Sequence, residues 1–182
     1  MRALAILLAG SLASACTDGG TIHYADYGRY SGSTAYYAAR TGYMPLMVYG
    51  NPTHASQNAF TGAMARALKG THLVPGVEFT PADPAVMRGY RTVLAFGSST
   101  EAAICSSAPI TAATPKGASG PLNAAFCLDA EPLSFLSGAI PAANGPEDPV
   151  LRQQMAAIGH ALFPPNNPNR SQDCWPGALK CL

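Results

Sequence analysis

The apolar residues after position 43 recur at two spacings, one typical of strands and one typical of helices. The most regular alternation runs from Tyr90 to Phe96 and predicts a strand at the centre of a sheet. Its two faces are Thr92, Leu94 and Phe96 on one side and Arg91, Val93 and Ala95 on the other. Shorter apolar or alternating runs predict four more strands, at residues 45–49, 77–80 (an edge strand), 124–127 and 133–140.

Two longer segments place apolar residues on one face of a helix. The first runs from Ser56 to Lys69 and carries Phe60, Ala63, Met64, Ala67 and Leu68. The second begins at Asp148 and Pro149, a capping residue and a favoured first-turn residue, and carries Leu151, Met155, Ile158 and Leu162. Residues 83–89 predict a shorter helix. The order of these elements predicts an α+β fold: an antiparallel or mixed sheet of about five strands with two amphipathic helices on one face.

A loop rich in Ser, Ala, Pro and Gly follows the predicted central strand, at residues 97–121. Loops of this length are unusual in a compact domain unless they are functional or cross-linked. Cys105 lies in the loop and Cys127 ends the next strand. A disulfide between them would close a loop of about 22 residues and contribute roughly 3 kcal/mol.

The Asn- and Pro-rich tail, residues 166–182, holds Cys174 and Cys181. Together with Cys105 and Cys127 they make four cysteines, which allow three pairings. We predict the pairs 105–127 and 174–181, because each closes a local loop and braces the fold. Pairings that cross-link the tail to the body of the domain are the alternative.

The first sixteen residues have the three parts of an export signal: a positive charge at Arg2, an apolar stretch at residues 3–12, and small residues before Cys16. About ten apolar residues are too few for a membrane span, which needs roughly 20 in a helix. The run Ala13-Ser14-Ala15-Cys16 resembles the lipobox of bacterial lipoproteins, with Ala13 where that family usually has leucine. The resemblance implies that residues 1–15 are removed and that Cys16 carries a diacylglycerol.

The same small residues also fit ordinary secretion, which would leave Cys16 as a free thiol in a soluble periplasmic protein. The cysteine count favours lipidation: five is odd, and assigning Cys16 to a lipid leaves an even four, suited to two disulfides in an oxidising compartment. In enterobacterial lipoproteins an aspartate after the cysteine signals retention in the inner membrane. This chain has Thr17 there, so the resemblance implies the periplasmic face of the outer membrane.

These features divide the chain into three parts: a signal peptide at 1–15, a lipidated Cys16 with a flexible Gly-, Ser- and Tyr-rich tether at 16–43, and a single α+β domain with its tail at 44–182. Six of the eight tyrosines fall in the tether, at positions 24, 27, 30, 36, 37 and 43. Tyrosine rings can stack on the sugar rings of the cell wall or fold against a partner. The alternative is a plain linker whose last tyrosines pack on the domain.

The length and charge of the mature chain limit the classes of molecule that it can bind. Removing residues 1–15 leaves 182 − 15 = 167 residues, enough for one domain with a real core. Arg2 is lost with them, so 11 − 1 = 10 basic residues face 10 acidic ones and the mature chain has no net charge. Nucleic-acid surfaces need clustered Lys and Arg. The composition therefore excludes nucleic acid as a partner.

Candidate chemistry is sparse. A hydrolase would use Ser98 or Ser99 with His54 and Asp83, yet the chain has no Gly-x-Ser-x-Gly motif. A thiol enzyme would use Cys105 or Cys127 with His160. The four histidines, at 23, 54, 72 and 160, are too scattered for a zinc site, and no dinucleotide or phosphate-loop motif is present. We therefore expect no metal and no cofactor.

The sequence thus predicts a non-catalytic, lipid-anchored lipoprotein facing the periplasm. We expect an accessory or structural component of an envelope assembly or transport system, in contact with the membrane through its anchor and with envelope proteins or peptidoglycan. The order of elements is similar in outline to that of small envelope-transport accessory lipoproteins. The alternatives are an envelope hydrolase and a glycan-binding module that uses the tyrosines, to which an exposed Trp175 would add an aromatic contact.

Overall fold

The computed structural model describes residues 21–68, 77–83 and 88–169. In these ranges the chain forms seven strands and four helices. The strands are β1 (Ile22–Asp26), β2 (Tyr43–Tyr49), β3 (Glu78–Pro81), β4 (Tyr90–Ser98), β5 (Ala112–Ala113), β6 (Gly120–Leu128) and β7 (Glu131–Ile140). The helices are α1 (Gly32–Ala38), α2 (Gln57–Ala67), α3 (Glu101–Ile104) and α4 (Pro149–Leu162).

The sheet is mixed, in the order β1-β7-β6-β4-β2-β3, with β5 paired to β4 beside this path. β2 runs parallel to both β3 and β4. The pairs β4–β6, β6–β7 and β1–β7 are antiparallel. The predicted α+β class and mixed sheet are confirmed, but the predicted count of five strands is wrong, because β1 and β5 join the sheet as well.

The predicted central strand lies inside the sheet and is buried on both faces. Thr92, Leu94 and Phe96 of β4 point to one face, where α1, α2 and α4 pack on the sheet and form the main core with it. The face carrying Val93 and Ala95 packs against a smaller cluster built on Ile104, Cys105 and Cys127. The sheet therefore lies between a helical layer and the segment that contains α3.

The two predicted amphipathic helices are present and begin at the predicted positions, and Asp148 is the predicted cap. The side chain of Ser56 accepts from the N–H of Ala59 at the start of α2, and that of Asp148 accepts from the N–H of Val150 at the start of α4. Each helix buries its predicted apolar stripe in the main core, except that Ala67 of α2 is only partly buried and Ala65 is buried as well. The short helix predicted at 83–89 falls mostly outside the described residues.

The segment predicted as a flexible tether is folded from β1 onward. β1 pairs with β7, and Ser31 caps α1 by accepting from the N–H of Thr34. Tyr27 and Tyr30 are buried, and their hydroxyls donate to the carbonyl oxygens of Ala161 and Pro164, each at 2.7 Å. These carbonyls are at the C-terminal end of α4, where helices leave such groups without an intrahelical partner. The tyrosines therefore hold the N-terminal segment on the domain.

The pairing register of the strands defines two opposite ends of the sheet. Ile22 pairs with Gly138, Gly138 with Leu122, and Leu122 with Phe96, which sets one row across four strands. Tyr90, six residues before Phe96 on β4, pairs with Leu128 beside the β6–β7 turn. Six residues of strand span about 20 Å. We call these the Ile22 end and the Tyr90 end.

Candidate functional site: an aromatic surface at the Tyr90 end

Four of the six N-terminal tyrosines are exposed, and three of these lie close together in sequence near the Tyr90 end. Tyr36 is 60% exposed, Tyr37 53% and Tyr43 58%. Tyr37 contacts Tyr90 itself, with ring centroids 6.3 Å apart. Tyr43 opens β2 one residue beyond the row of Tyr90, because Leu46 pairs with Thr92. Met44 and Leu46 of the same strand point into the main core, so Tyr43 lies on the opposite face of the sheet. We call Tyr36, Tyr37 and Arg40 the aromatic surface.

Packing beneath the aromatic surface fixes part of it. Tyr37 meets Tyr90 edge-on at 73°, and Tyr90 stacks on Phe126 of the core at 5.8 Å and 17°. The guanidinium carbon of Arg40 lies 3.9 Å from the centre of the Tyr37 ring, and its Nη1 donates to the Tyr37 carbonyl at 3.0 Å. This places a cation over the ring, an attractive arrangement. Tyr37 and Arg40 are therefore held in place before any partner arrives.

The two remaining N-terminal tyrosines belong to the core. The pKa of Tyr30 is raised to about 12, chiefly by burial and to a smaller extent by the neighbouring Tyr27. Burial also raises the pKa of Tyr27. Both phenols thus stay neutral and serve as hydrogen-bond donors within the fold. The sequence shows the six tyrosines as one group, whereas the structure separates a structural pair from the exposed residues.

Cys105 and Cys127 form a disulfide, as predicted, with their Cα atoms 5.8 Å apart. Both are fully buried on the sheet face opposite the helices. A sulfur in a disulfide is not a thiolate nucleophile. In this state neither residue can serve the predicted thiol mechanism with His160, which is exposed on α4.

Arg91 is buried beneath this disulfide. It is 1% exposed, and its Nη2 donates to the Cys105 carbonyl oxygen at 2.7 Å. Desolvation lowers its pKa, and the electrostatic interactions with Tyr49 and Asp129 raise it. The alternation in β4 places Arg91 on the correct face, but only the structure shows that the loop covers it. This buried cation anchors the loop to the sheet.

The serine residues proposed for hydrolysis lie at the Ile22 end, where Ser98 ends β4 and Ser99 follows it. Ser99 Oγ donates to the Thr100 carbonyl at 3.4 Å, and within the described ranges no hydrogen bond joins Ser98 or Ser99 to His54. His54 lies in the β2–α2 connection, and Asp83 follows β3. Because β2, β3 and β4 are parallel, all these residues are at the same edge of the sheet. The structure thus brings their segments to one edge without forming a Ser–His pair.

A pair of acidic side chains connects β1 to α3. The pKa of Glu101 is raised by desolvation, by its hydrogen bond with Asp26 and by the Asp26 charge. Asn169 Nδ2 donates to the same Asp26 at 2.6 Å. Sequence reasoning did not single out this pair, because the two carboxyls are far apart along the chain. The pair links two elements that are distant along the chain.

A groove of about 290 Å³ runs between α2 and α4. It is lined by Ala63, Arg66, Ala67, Glu147 and Arg152. The ion pair between Arg66 and Glu147, at 2.5 Å, joins the two sides of this groove. We regard this groove as part of the contact between the two helices.

Other predicted residues lie outside the described part of the chain: Cys16, Cys174, Cys181 and Trp175. Within the described part, no three His, Cys, Asp or Glu side chains are arranged to hold a metal ion. No helix there is both long and apolar enough to cross a bilayer. Comparisons of this chain with family models, curated proteins and solved structures give no match.

Proposed function

We propose that this protein is a non-catalytic, lipid-anchored lipoprotein of the cell envelope. It faces the periplasm from the outer membrane and is an accessory or structural component of an envelope assembly or transport system. The observation that carries the proposal is the run Ala13-Ser14-Ala15-Cys16, which resembles a lipobox and lies shortly before the sheet. Ile22, the first residue of β1, follows Cys16 by only six residues.

With a lipid on Cys16, this spacing would keep the domain close to its anchor. Six residues reach about 20 Å when fully extended. A lipid on Cys16 would therefore hold the Ile22 end beside the lipid headgroups, much closer than a tether of 28 residues would. The Tyr90 end, with the aromatic surface, would then point away from the membrane. Contacts with other envelope components would be made there.

The chemistry of the domain is consistent with this location. A buried disulfide suits an oxidising compartment outside the cytoplasm. The hydrolase alternative has less support, because the described residues form no Ser–His pair and both described cysteines are bonded to each other. A binding role requires only an accessible surface.

The anchor is tested by expressing the full chain in a bacterial host with radiolabelled palmitate and by intact-mass analysis. We expect label on the wild type, loss of residues 1–15, and an acylated Cys16. A Cys16→Ala variant should lose the label and leave the membrane fraction. An unacylated chain cut after Ala15, or a chain that keeps residues 1–15, would exclude the lipoprotein reading.

The choice between the outer and the inner membrane is tested at position 17, directly after Cys16. By the resemblance to enterobacterial lipoproteins, Thr17→Asp should move the protein from the outer-membrane to the inner-membrane fraction of an enterobacterial host on a density gradient. Thr17→Ser is the matched control and should stay with the wild type. Recovery of the wild type in the inner membrane would contradict the proposed location.

A further inference from the structure

The groove between α2 and α4 carries more positive than negative charge. Arg66 of α2 and Arg152 of α4 both line it, with Glu147 from the β7–α4 connection as the one carboxylate. Its other lining residues are small and apolar: Ala63 is 1% exposed, and Ala67 is partly buried against the main core. The volume, about 290 Å³, is close to that of the smaller ligand sites of proteins. The groove therefore combines an apolar floor with two guanidinium groups and one carboxylate.

Neighbouring side chains do not balance this charge. Among the ion pairs of the described residues, one involves Arg66 and none involves Arg152. Asp148, one turn before Arg152, accepts instead from the N–H groups of Asn144 and Val150. The segment that follows α2 in the sequence, residues 69–76, contains a lysine and a histidine and no acidic residue. The excess positive charge is thus available to an anionic ligand.

Arg152 has no evident role in the stability of the helix. It is exposed and does not belong to the apolar stripe of α4. It also lies one turn inside the N-terminal end of this helix, where the helix dipole favours anions and gives a cation no benefit. A binding role would explain an arginine at this position.

Glu147 shows that the groove accepts an oxyanion. Its Oε1 lies 2.5 Å from Nη2 of Arg66, and the two side chains are 55% and 63% exposed. An ion pair as exposed as this one contributes little to stability. Glu147 can therefore turn toward solvent at small cost, and it acts as an internal competitor for the guanidinium of Arg66.

We propose that this groove is a binding site for a phosphate group, held between Arg66 and Arg152 after Glu147 has moved aside. Guanidinium groups bind phosphate oxygens through paired N–H donors. A phosphate monoester has three free oxygens and up to two negative charges, so one such group can serve both arginines. A single carboxylate serves one, as Glu147 does. The inference goes beyond the proposed function and does not depend on the lipid anchor.

The test is isothermal titration of inorganic phosphate into the full chain carrying Cys16→Ala, which needs no detergent, at constant ionic strength in chloride. Arg66→Ala and Arg152→Ala should each weaken binding about tenfold, because each removes charged hydrogen bonds to the ligand. Glu147→Gln should tighten binding, by up to about fivefold, because it removes the competitor. Arg29→Ala is the matched control: Arg29 is also exposed and ion-paired, but with Glu131, and it does not line the groove. This control should bind as the parent does.

A second arm identifies the source of the phosphate, since soluble phosphate esters and the headgroups of membrane lipids share this chemistry. The same variants are floated with phosphatidylcholine vesicles, with and without phosphatidic acid. Binding of inorganic phosphate assigns the site to soluble esters. Flotation that requires phosphatidic acid and both arginines, without binding of inorganic phosphate, assigns it to a lipid headgroup. Either result supports the site.

Other outcomes overturn the proposal. Binding of neither probe, or equal binding by the parent and both arginine variants, would exclude the site. Acetate that binds as tightly as phosphate would replace the phosphate assignment with a carboxylate one. Weaker binding by Glu147→Gln would contradict the role of Glu147 as a competitor. Urea unfolding of each variant separates lost binding from lost folding, and tighter binding by Glu147→Gln cannot result from unfolding.

Discussion

Arg91 and Cys105 are joined by a hydrogen bond of 2.7 Å from the guanidinium Nη2 to the Cys105 carbonyl oxygen. Arg91 also lies opposite Cys127 in the β4–β6 register, and Cys127 is the disulfide partner of Cys105. The loop that follows β4 is therefore fixed at one point by a covalent bond and a buried cation. This double attachment explains how a long Ser-, Ala- and Pro-rich segment can form one layer of the domain.

Arg91→Ala should destabilise the domain by about 3 kcal/mol, because it leaves a cavity and removes a donor from a buried carbonyl. The measurement is the free energy of unfolding in urea. Arg29→Ala is the control: Arg29 is ion-paired with Glu131, but its side chain is 70% exposed. We expect the control to cost less than about 1 kcal/mol. Equal effects of the two substitutions would contradict an anchoring role for Arg91.

Removing the disulfide by a Cys105→Ala, Cys127→Ala double substitution should cost about 3 kcal/mol, through the greater entropy of the unfolded chain. Unreduced wild type should yield a cross-linked peptide pair containing these two cysteines in mass spectrometry. Reductant should lower the unfolding midpoint of the wild type more than that of the double variant. A free thiol at Cys127 in native protein would contradict the assignment and would reopen the thiol mechanism.

Tyr30→Phe should destabilise the fold by about 1 kcal/mol, because it deletes the hydroxyl that donates to the Pro164 carbonyl and leaves that carbonyl without this donor. Tyr36→Phe removes the same atom from an exposed ring and should leave the free energy of unfolding unchanged. Comparison of these two variants tests directly whether the N-terminal segment is folded on the domain or is a loose tether. Identical stability of both variants would favour the tether.

The hydrogen bond between Glu101 and Asp26 predicts a pH dependence of stability. The pKa of Glu101 in the folded state is raised above its ordinary value of 4.5, chiefly by desolvation. The folded state therefore binds this proton more tightly, so the stabilisation is complete below the unfolded pKa and is lost as pH rises through the folded pKa. Unfolding midpoints of the wild type and Glu101→Gln, measured across the pH range upward from 4.5, should differ in slope.

Much of the fold could be predicted from the periodicity of the sequence. The alternation from Tyr90 to Phe96 identified an inner strand, the apolar spacing after Ser56 located the first long helix, and the cap Asp148 located the start of the second. These elements are readable because each buries a regular apolar stripe. Their parallel or antiparallel pairing was not readable, since it depends on contacts between distant segments.

β1 was missed for a physical reason. All of its residues except Asp26 are exposed, so it has no apolar stripe and joins the sheet mainly through backbone hydrogen bonds to β7. Tyr27 and Tyr30 bury their rings just after it, in a stretch whose composition is that of a linker. The aromatic surface was hidden for the same reason, because tyrosine count alone does not separate core residues from exposed ones.

The pairing of β1 with β7 also constrains the order in which the sheet forms. Ile22 pairs with Gly138, a partner more than a hundred residues further along the chain, so this edge of the sheet closes only once the C-terminal half is available. Contacts of such long sequence separation slow folding. Until β7 is in place, β1 has no native neighbour in the described part of the chain, and its backbone N–H and C=O groups stay open to non-native pairing.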